Sequence, residues 1–151
     1  MSSSLPRRGP RRRRIAWSPC AASCRSVDDP VLLARALDWM LTGDVKVQDV
    51  RYFLGTSLSR RTSRKVVYEW SKTHWDGLRA KLQGPLGARL MSIPAALCTK
   101  SERDDAEAFF AARARTIEGA ERPLAEALES SGLCVELRAK ASASASTYFK
   151  K

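Results

Sequence analysis

Residues 65–82, KVVYEWSKTHWDGLRAKL, decide how the rest of the chain is read. Wound at about 100° per residue, Val66, Val67, Tyr68, Trp70, Trp75, Leu78 and Leu82 fall in one apolar arc about 200° wide. Lys65, Glu69, Lys72, Asp76 and Arg79 gather on the opposite side. A helix lying on a protein surface needs an apolar stripe of only about 100°, so most of this one is buried. Trp70 and Trp75 are five residues apart and point about 140° away from each other, which demands neighbours on two sides. The pairs Lys65/Glu69, Lys72/Asp76, Glu69/Lys72 and Asp76/Arg79 are three or four apart, the spacing of a solvated stripe of alternating charge. The stretch therefore predicts one central core helix in an all-α fold. His74 lies inside the apolar arc, where a hydrogen-bonded core imidazole is expected rather than a metal ligand or a base.

Outward from this helix the chain divides at glycines, prolines and short polar links. Asp28 or Asp29 before Pro30 is a helix start, a side-chain oxygen to cap free amides and then a proline whose missing N–H costs nothing there. Val31, Leu32, Ala34, Leu37, Trp39, Met40 and Leu41 give a mostly apolar helix that Gly43 ends. A second helix is expected from Asp44 or Val45 to Leu58, with Val47, Val50, Phe53 or Leu54 and Leu58 inward, and a basic turn from Ser59 to Ser63. After Leu82, Gly84-Pro85-Leu86-Gly87 breaks the chain. Residues 86–97 read as a short helix kinked or limited by Pro94. Thr99 to Glu102 has capping-box form, and a helix from Ser101 to Arg115 follows with Ala106, Phe109, Phe110 and Arg113 on one stripe. Gly119 stops it, and Pro123 fits the first turn of a helix carrying Leu124, Ala127 and Leu128.

One domain is the default for 151 residues, and 44% hydrophobic with 28% charged residues is globular composition. The formal charge of +11 is concentrated at one end, since residues 1–28 hold seven arginines and only one acid, Asp28. That segment, with its prolines and clustered like charges, is expected to be a disordered arm. Cys20, Cys24, Cys98 and Cys134 show no paired CxxC spacing, and one histidine excludes a zinc finger. Cys98 and Cys134 are read as buried small apolar residues. The apolar part of IAWSPCAASC is too short for an export signal and is interrupted by Pro19, so a cytoplasmic location is expected.

No strand-like alternation and no phosphate-binding glycine loop occurs, which leaves helices stacked in antiparallel pairs, a HEAT- or armadillo-like partial solenoid. A first helix as apolar as 31–41 implies a neighbour before it.

Trp70, four residues, Trp75-Asp76 and a basic-apolar end resemble the Trp-rich helix in the C-terminal helical domain of the aminopeptidase N family of zinc peptidases. LTGDVKVQDV upstream, AEAFFAA downstream and then GAERPLAEALE also resemble segments of that domain, in the same order, from about Asp29 to Glu129. Beyond Glu129 the chain departs from the family, with Ser131, Cys134 and Leu137 where the family has a branched apolar residue, Asn and Trp. Gly132 interrupts as well, so the last helix is expected to fray.

The resemblance implies two units: an arginine-rich arm over 1–28 and a helical-repeat domain over 29–151, incomplete at its last helix. It implies that zinc and the catalytic glutamate belong to a separate catalytic domain. This chain has no HExxH and no Gly-Ala-Met-Glu-Asn segment, so it is not expected to be an enzyme or to hold a cofactor. The implied partners are the catalytic domains of a parent aminopeptidase and, through them, the peptide substrate. Lys46, Gln48, Asp49 and Arg51 are the candidates for a chamber-lining or inter-helix polar network, where cations would attract a peptide carboxylate. The alternative is that Asp49 only caps or cross-links helices. Trp70, Trp75, Phe109 and Phe110 are the candidate core. A competing reading from another class is an independent helical scaffold whose basic arm binds nucleic acid or an acidic protein.

Overall fold

The computed structural model describes residues 29–149, except the side chains of Ala143 and Phe149. The expected arm of residues 1–28 lies outside the described residues. Among the described residues the fold is all-α: α1 (Pro30–Met40), α2 (Val47–Ser59), α3 (Arg64–Thr73), α4 (Trp75–Lys81), the single turn α5 (Pro85–Ala88), a 3₁₀ helix (Arg89–Ala96), α6 (Lys100–Ala114) and α7 (Glu121–Phe149).

Local chemistry sets most of the boundaries. The Asp29 carboxylate accepts from the amides of Val31 (2.8 Å) and Leu32 (3.1 Å), with Pro30 in the first turn of α1. Thr99 Oγ1 accepts from the Glu102 amide at 3.3 Å and donates to the Glu102 carboxylate at 2.7 Å. The capping box thus closes between side chains, where the sequence led us to expect Glu102 on a backbone amide. Gly119 sits at φ 71°, the left-handed region that separates α6 from α7 at little steric cost.

Three expectations are corrected. The single helix over 65–82 is two helices broken at His74, whose backbone (φ −105°, ψ 25°) leaves the helical region. Ser71 Oγ and Thr73 Oγ1 bond back to the carbonyls of Val67 and Glu69 at 2.7 and 3.1 Å, and His74 Nδ1 lies 3.1 Å from the Trp70 carbonyl. Side chains that compete for carbonyls four residues back bend helices. Around Pro94 the chain is a 3₁₀ helix, because proline brings no N–H and its ring collides with the carbonyl four residues earlier in an α-helix. Finally, Gly132 does not interrupt the last helix: α7 runs through it for 29 residues.

Both α1 and α2 pack on α3, and the 3₁₀ helix touches α2, α3, α5, α6 and α7. Leu90, Met91, Ile93, Pro94 and Leu97 are all buried, which makes this irregular segment the centre of the stack. Leu37, Val50, Val67, Leu78, Met91, Leu97 and Phe110 have no exposed surface. Each such large side chain contributes about 1.5–3 kcal/mol by leaving water.

The broken helix keeps its two-sided role. Trp70 faces α1, its indole N–H donating to Asp38 Oδ1 at 2.7 Å. Trp75 faces α6, edge-on to Phe109 (5.8 Å) and Phe110 (5.5 Å). Phe110 and both indoles are buried and Phe109 is half-buried, with the Arg113 guanidinium 3.6 Å from the Phe109 centroid.

The cysteine reading is overturned. Cys98 and Cys134 are half-buried and joined by a disulfide, with Cα atoms 5.2 Å apart and a sequence separation of 36. Spacing alone could not reveal this pair, since only the stacking of α7 on the 3₁₀ helix brings it together.

Candidate functional site

A groove of about 610 Å³ opens between α2, the 3₁₀ helix and α7. Leu54 and Leu58 of α2, Leu82, Leu86, and Leu90, Ile93 and Ala96 around the 3₁₀ helix make it apolar, and Cys134 of α7 closes one side. Its charged lining residues are Arg51, Arg64 and Arg89, with no acid among them. Arg64 is held in place: its Nη1 donates to the Ala96 carbonyl at 3.0 Å, tying α3 to the end of the 3₁₀ helix. Arg51 and Arg89 are exposed, and the Arg51 guanidinium lies 5.5 Å from the Tyr52 ring centroid. The arrangement suits a ligand with an apolar body and a negative charge.

Of the four polar residues singled out in the sequence, Arg51 reaches this groove. Lys46 and Gln48 are exposed, and Lys46 precedes α2 as its cap without a side-chain capping bond. Asp49 is half-buried in the first turn of α2, where a carboxylate is favoured by free amides and the helix dipole. Sequence reasoning missed Arg64 and Arg89, which come from different helices and share no spacing with Arg51.

A second polar centre joins α3 to α6. Tyr68 Oη donates to Asp105 Oδ2, and Lys72 Nζ lies 2.7 Å from the same oxygen and 3.0 Å from Glu69. Hydrogen bonds from Lys72 and then Tyr68 hold the Asp105 carboxyl below the usual carboxylate range. Burial, followed by the Asp105 bond, pushes the Tyr68 phenol up. Burial works against the Lys72 ammonium, but bonds to Asp105 and Glu69 outweigh it and hold its pKa above the usual value. Asp104 meets Lys100 at 2.5 Å, whereas its neighbour Asp105 is the inter-helix acceptor.

His74 stacks on Trp70 (centroids 4.7 Å apart, 18° between planes), and its Nε2 lies 3.5 Å from Asp38. It is half-buried and held by these neighbours. Among the described residues no three His, Cys, Asp or Glu side chains converge on a point that could hold a metal ion. No helix among the described residues is long and apolar enough to cross a membrane.

The described residues thus form an all-α helical module with an arginine-lined groove. Residues 19–131 match the ERAP1-like C-terminal domain, and the chain belongs to that family, the C-terminal helical domains of aminopeptidase N-type enzymes. Among curated proteins and among solved structures no match was found.

Proposed function

We propose that this chain is the non-catalytic C-terminal helical domain of a zinc-dependent aminopeptidase, and that it packs on the catalytic domains and shapes the chamber receiving the peptide. The observation that carries the reading is the family match over residues 19–131 in a chain with one histidine and no HExxH. Two structural features support it. The outer face of α1 leaves Val31 (66%), Leu32 (52%) and Trp39 (42%) exposed, an apolar surface suited to a neighbouring domain at the end of the stack. The arginine-lined groove offers positive charge to the distal carboxylate of a peptide.

The test uses the purified chain with amino-acid anilides and added zinc. No turnover is expected, and zinc-dependent anilide release by the chain alone refutes the reading. A catalytic domain of such an aminopeptidase, containing HExxH and supplied as a separate polypeptide, is expected to co-elute with it. Leu32→Glu together with Trp39→Glu is expected to abolish the co-elution without unfolding the chain.

A further inference from the structure

We propose that the Cys98–Cys134 bridge is a redox-sensitive clamp, closed in a thiol-oxidising compartment, that fixes α7 as one wall of the groove and holds the overhanging half of α7 to the body of the domain. The inference stands on the geometry of the bridge and does not depend on the aminopeptidase reading.

Three observations carry it. First, the bridge joins two elements that meet only in the folded chain. Cys98 follows the 3₁₀ helix, which supplies Arg89, Leu90, Ile93 and Ala96 to the groove, whereas Cys134 is on α7 and lines the groove itself. Secondly, it lies at the end of the attachment of α7. Ser131, fully buried, donates to the Leu97 carbonyl at 3.0 Å, and the bridge follows less than one turn later. From Glu136 to Tyr148 every residue whose burial is described is exposed, as are Leu133 (61%) and Leu137 (68%). Without the bridge, burial of Ser131 and Leu124 and the contact of Leu128 remain, but nothing covalent holds the helix beyond them. Thirdly, both cysteines are half-buried, so an exchange partner can reach them, in contrast to a core disulfide sealed by packing.

The closing step balances with a disulfide as oxidant, either a small-molecule disulfide or that of a protein thiol oxidase. One cysteine thiolate attacks the oxidant, forming a mixed disulfide and releasing one oxidant thiolate. The second cysteine thiolate attacks the mixed disulfide, forming the Cys98–Cys134 bond and releasing the second. The two cysteines lose two electrons and two protons, and the oxidant is reduced to two thiols. Such bonds persist in secreted, lumenal or periplasmic settings and are rare in the reducing cytosol. Under this proposal the cytoplasmic location expected from sequence gives way to an oxidising one.

The experiment uses the full chain in a Cys20→Ser, Cys24→Ser background, so that only this pair can react. The folded chain is equilibrated in glutathione buffers of graded ratio, free thiols are trapped with iodoacetamide, and the products are read by mass spectrometry. Hydrogen exchange is followed at residues 128–142 in the oxidised and reduced forms. The expected result is a loss of two hydrogens with the 98 and 134 peptides linked in oxidised buffer, and exchange of 128–142 at least about tenfold slower than in the reduced chain. A Cys98→Ser, Cys134→Ser chain should match the reduced form in both buffers. Full alkylation of both cysteines in the native chain under oxidising buffer overturns the bridge. A linked pair with equal exchange in the two forms overturns the clamp.

Discussion

Gly87→Ala tests the packing of the least regular part of the stack. On an exposed helix the change from glycine to alanine stabilises by about 0.5–1 kcal/mol, because alanine has less chain freedom to lose. Gly87 is buried, and a Cβ there would lie 2.8 Å from the Leu82 carbonyl oxygen and closer still to Arg79 Nη1. The guanidinium is the end of a flexible side chain, and its Nη1 has no hydrogen-bond partner to hold it, so it can shift at small cost. The carbonyl belongs to the backbone and cannot swing aside. Overpacking of this kind costs about 1–3 kcal/mol, which outweighs the helix gain. A net loss of about 1–2 kcal/mol is expected, or a melting point lower by about 3–10 °C. Gly55→Ala on α2 is the matched control, because nothing lies within 4 Å of the added carbon; it should raise stability by about 0.5–1 kcal/mol. Urea unfolding with unchanged m reads both. Arg79→Ala in the Gly87→Ala background separates the two obstacles: full recovery assigns the clash to the guanidinium, and no recovery assigns it to the Leu82 carbonyl. A Gly87→Ala midpoint at or above that of the parent chain would refute the reasoning.

Two further outcomes follow from the inter-helix contacts. Trp75→Ala removes the ring wedged against Phe109 and Phe110 and should cost about 3–5 kcal/mol in urea unfolding; a loss below about 1 kcal/mol would show that this seam is not part of the core. Asp105 has a depressed folded pKa, so its contribution is fully present above the unfolded value of about 4 and is lost as pH falls through the folded value. Asp105 is half-exposed, which limits the effect to about 0.5–1 kcal/mol. Asp105→Asn, which still accepts from Tyr68, should remove that part of the acid slope between pH 5 and pH 2, and an unchanged slope in thermal melts would exclude the pairing.

The fold class was legible because its signals are local. The Trp70/Trp75 spacing foretold neighbours on two sides, and the structure supplies Asp38 on one and the phenylalanine pair on the other. Asp29-Pro30 and Thr99-Glu102 carry their capping chemistry within a few residues, and both ends were placed to within about one residue. Periodicity did not show the break at His74, because it counts apolar positions and is blind to Ser71 and Thr73 bonding back onto carbonyls. It also overstated Gly132, whose cost of about 1 kcal/mol relative to alanine is small beside the Ser131 bond and the bridge that flank it. The groove was the least legible feature. One of its arginines lay in the cluster singled out from sequence, while Arg64 and Arg89 reach it only through the path of the 3₁₀ helix. The bridge was invisible for the same reason, since a separation of 36 residues has no local signature.

The corner at His74 also bears on where the polypeptide can be cut. One arm of the corner, through Trp70, completes the half built from α1 and α2, and the other, through Trp75, completes the half built with α6. A protein engineer trimming the chain on either side would strip one half of its keystone and leave an indole facing water. The smallest version expected to keep both seams packed is therefore one that retains both arms.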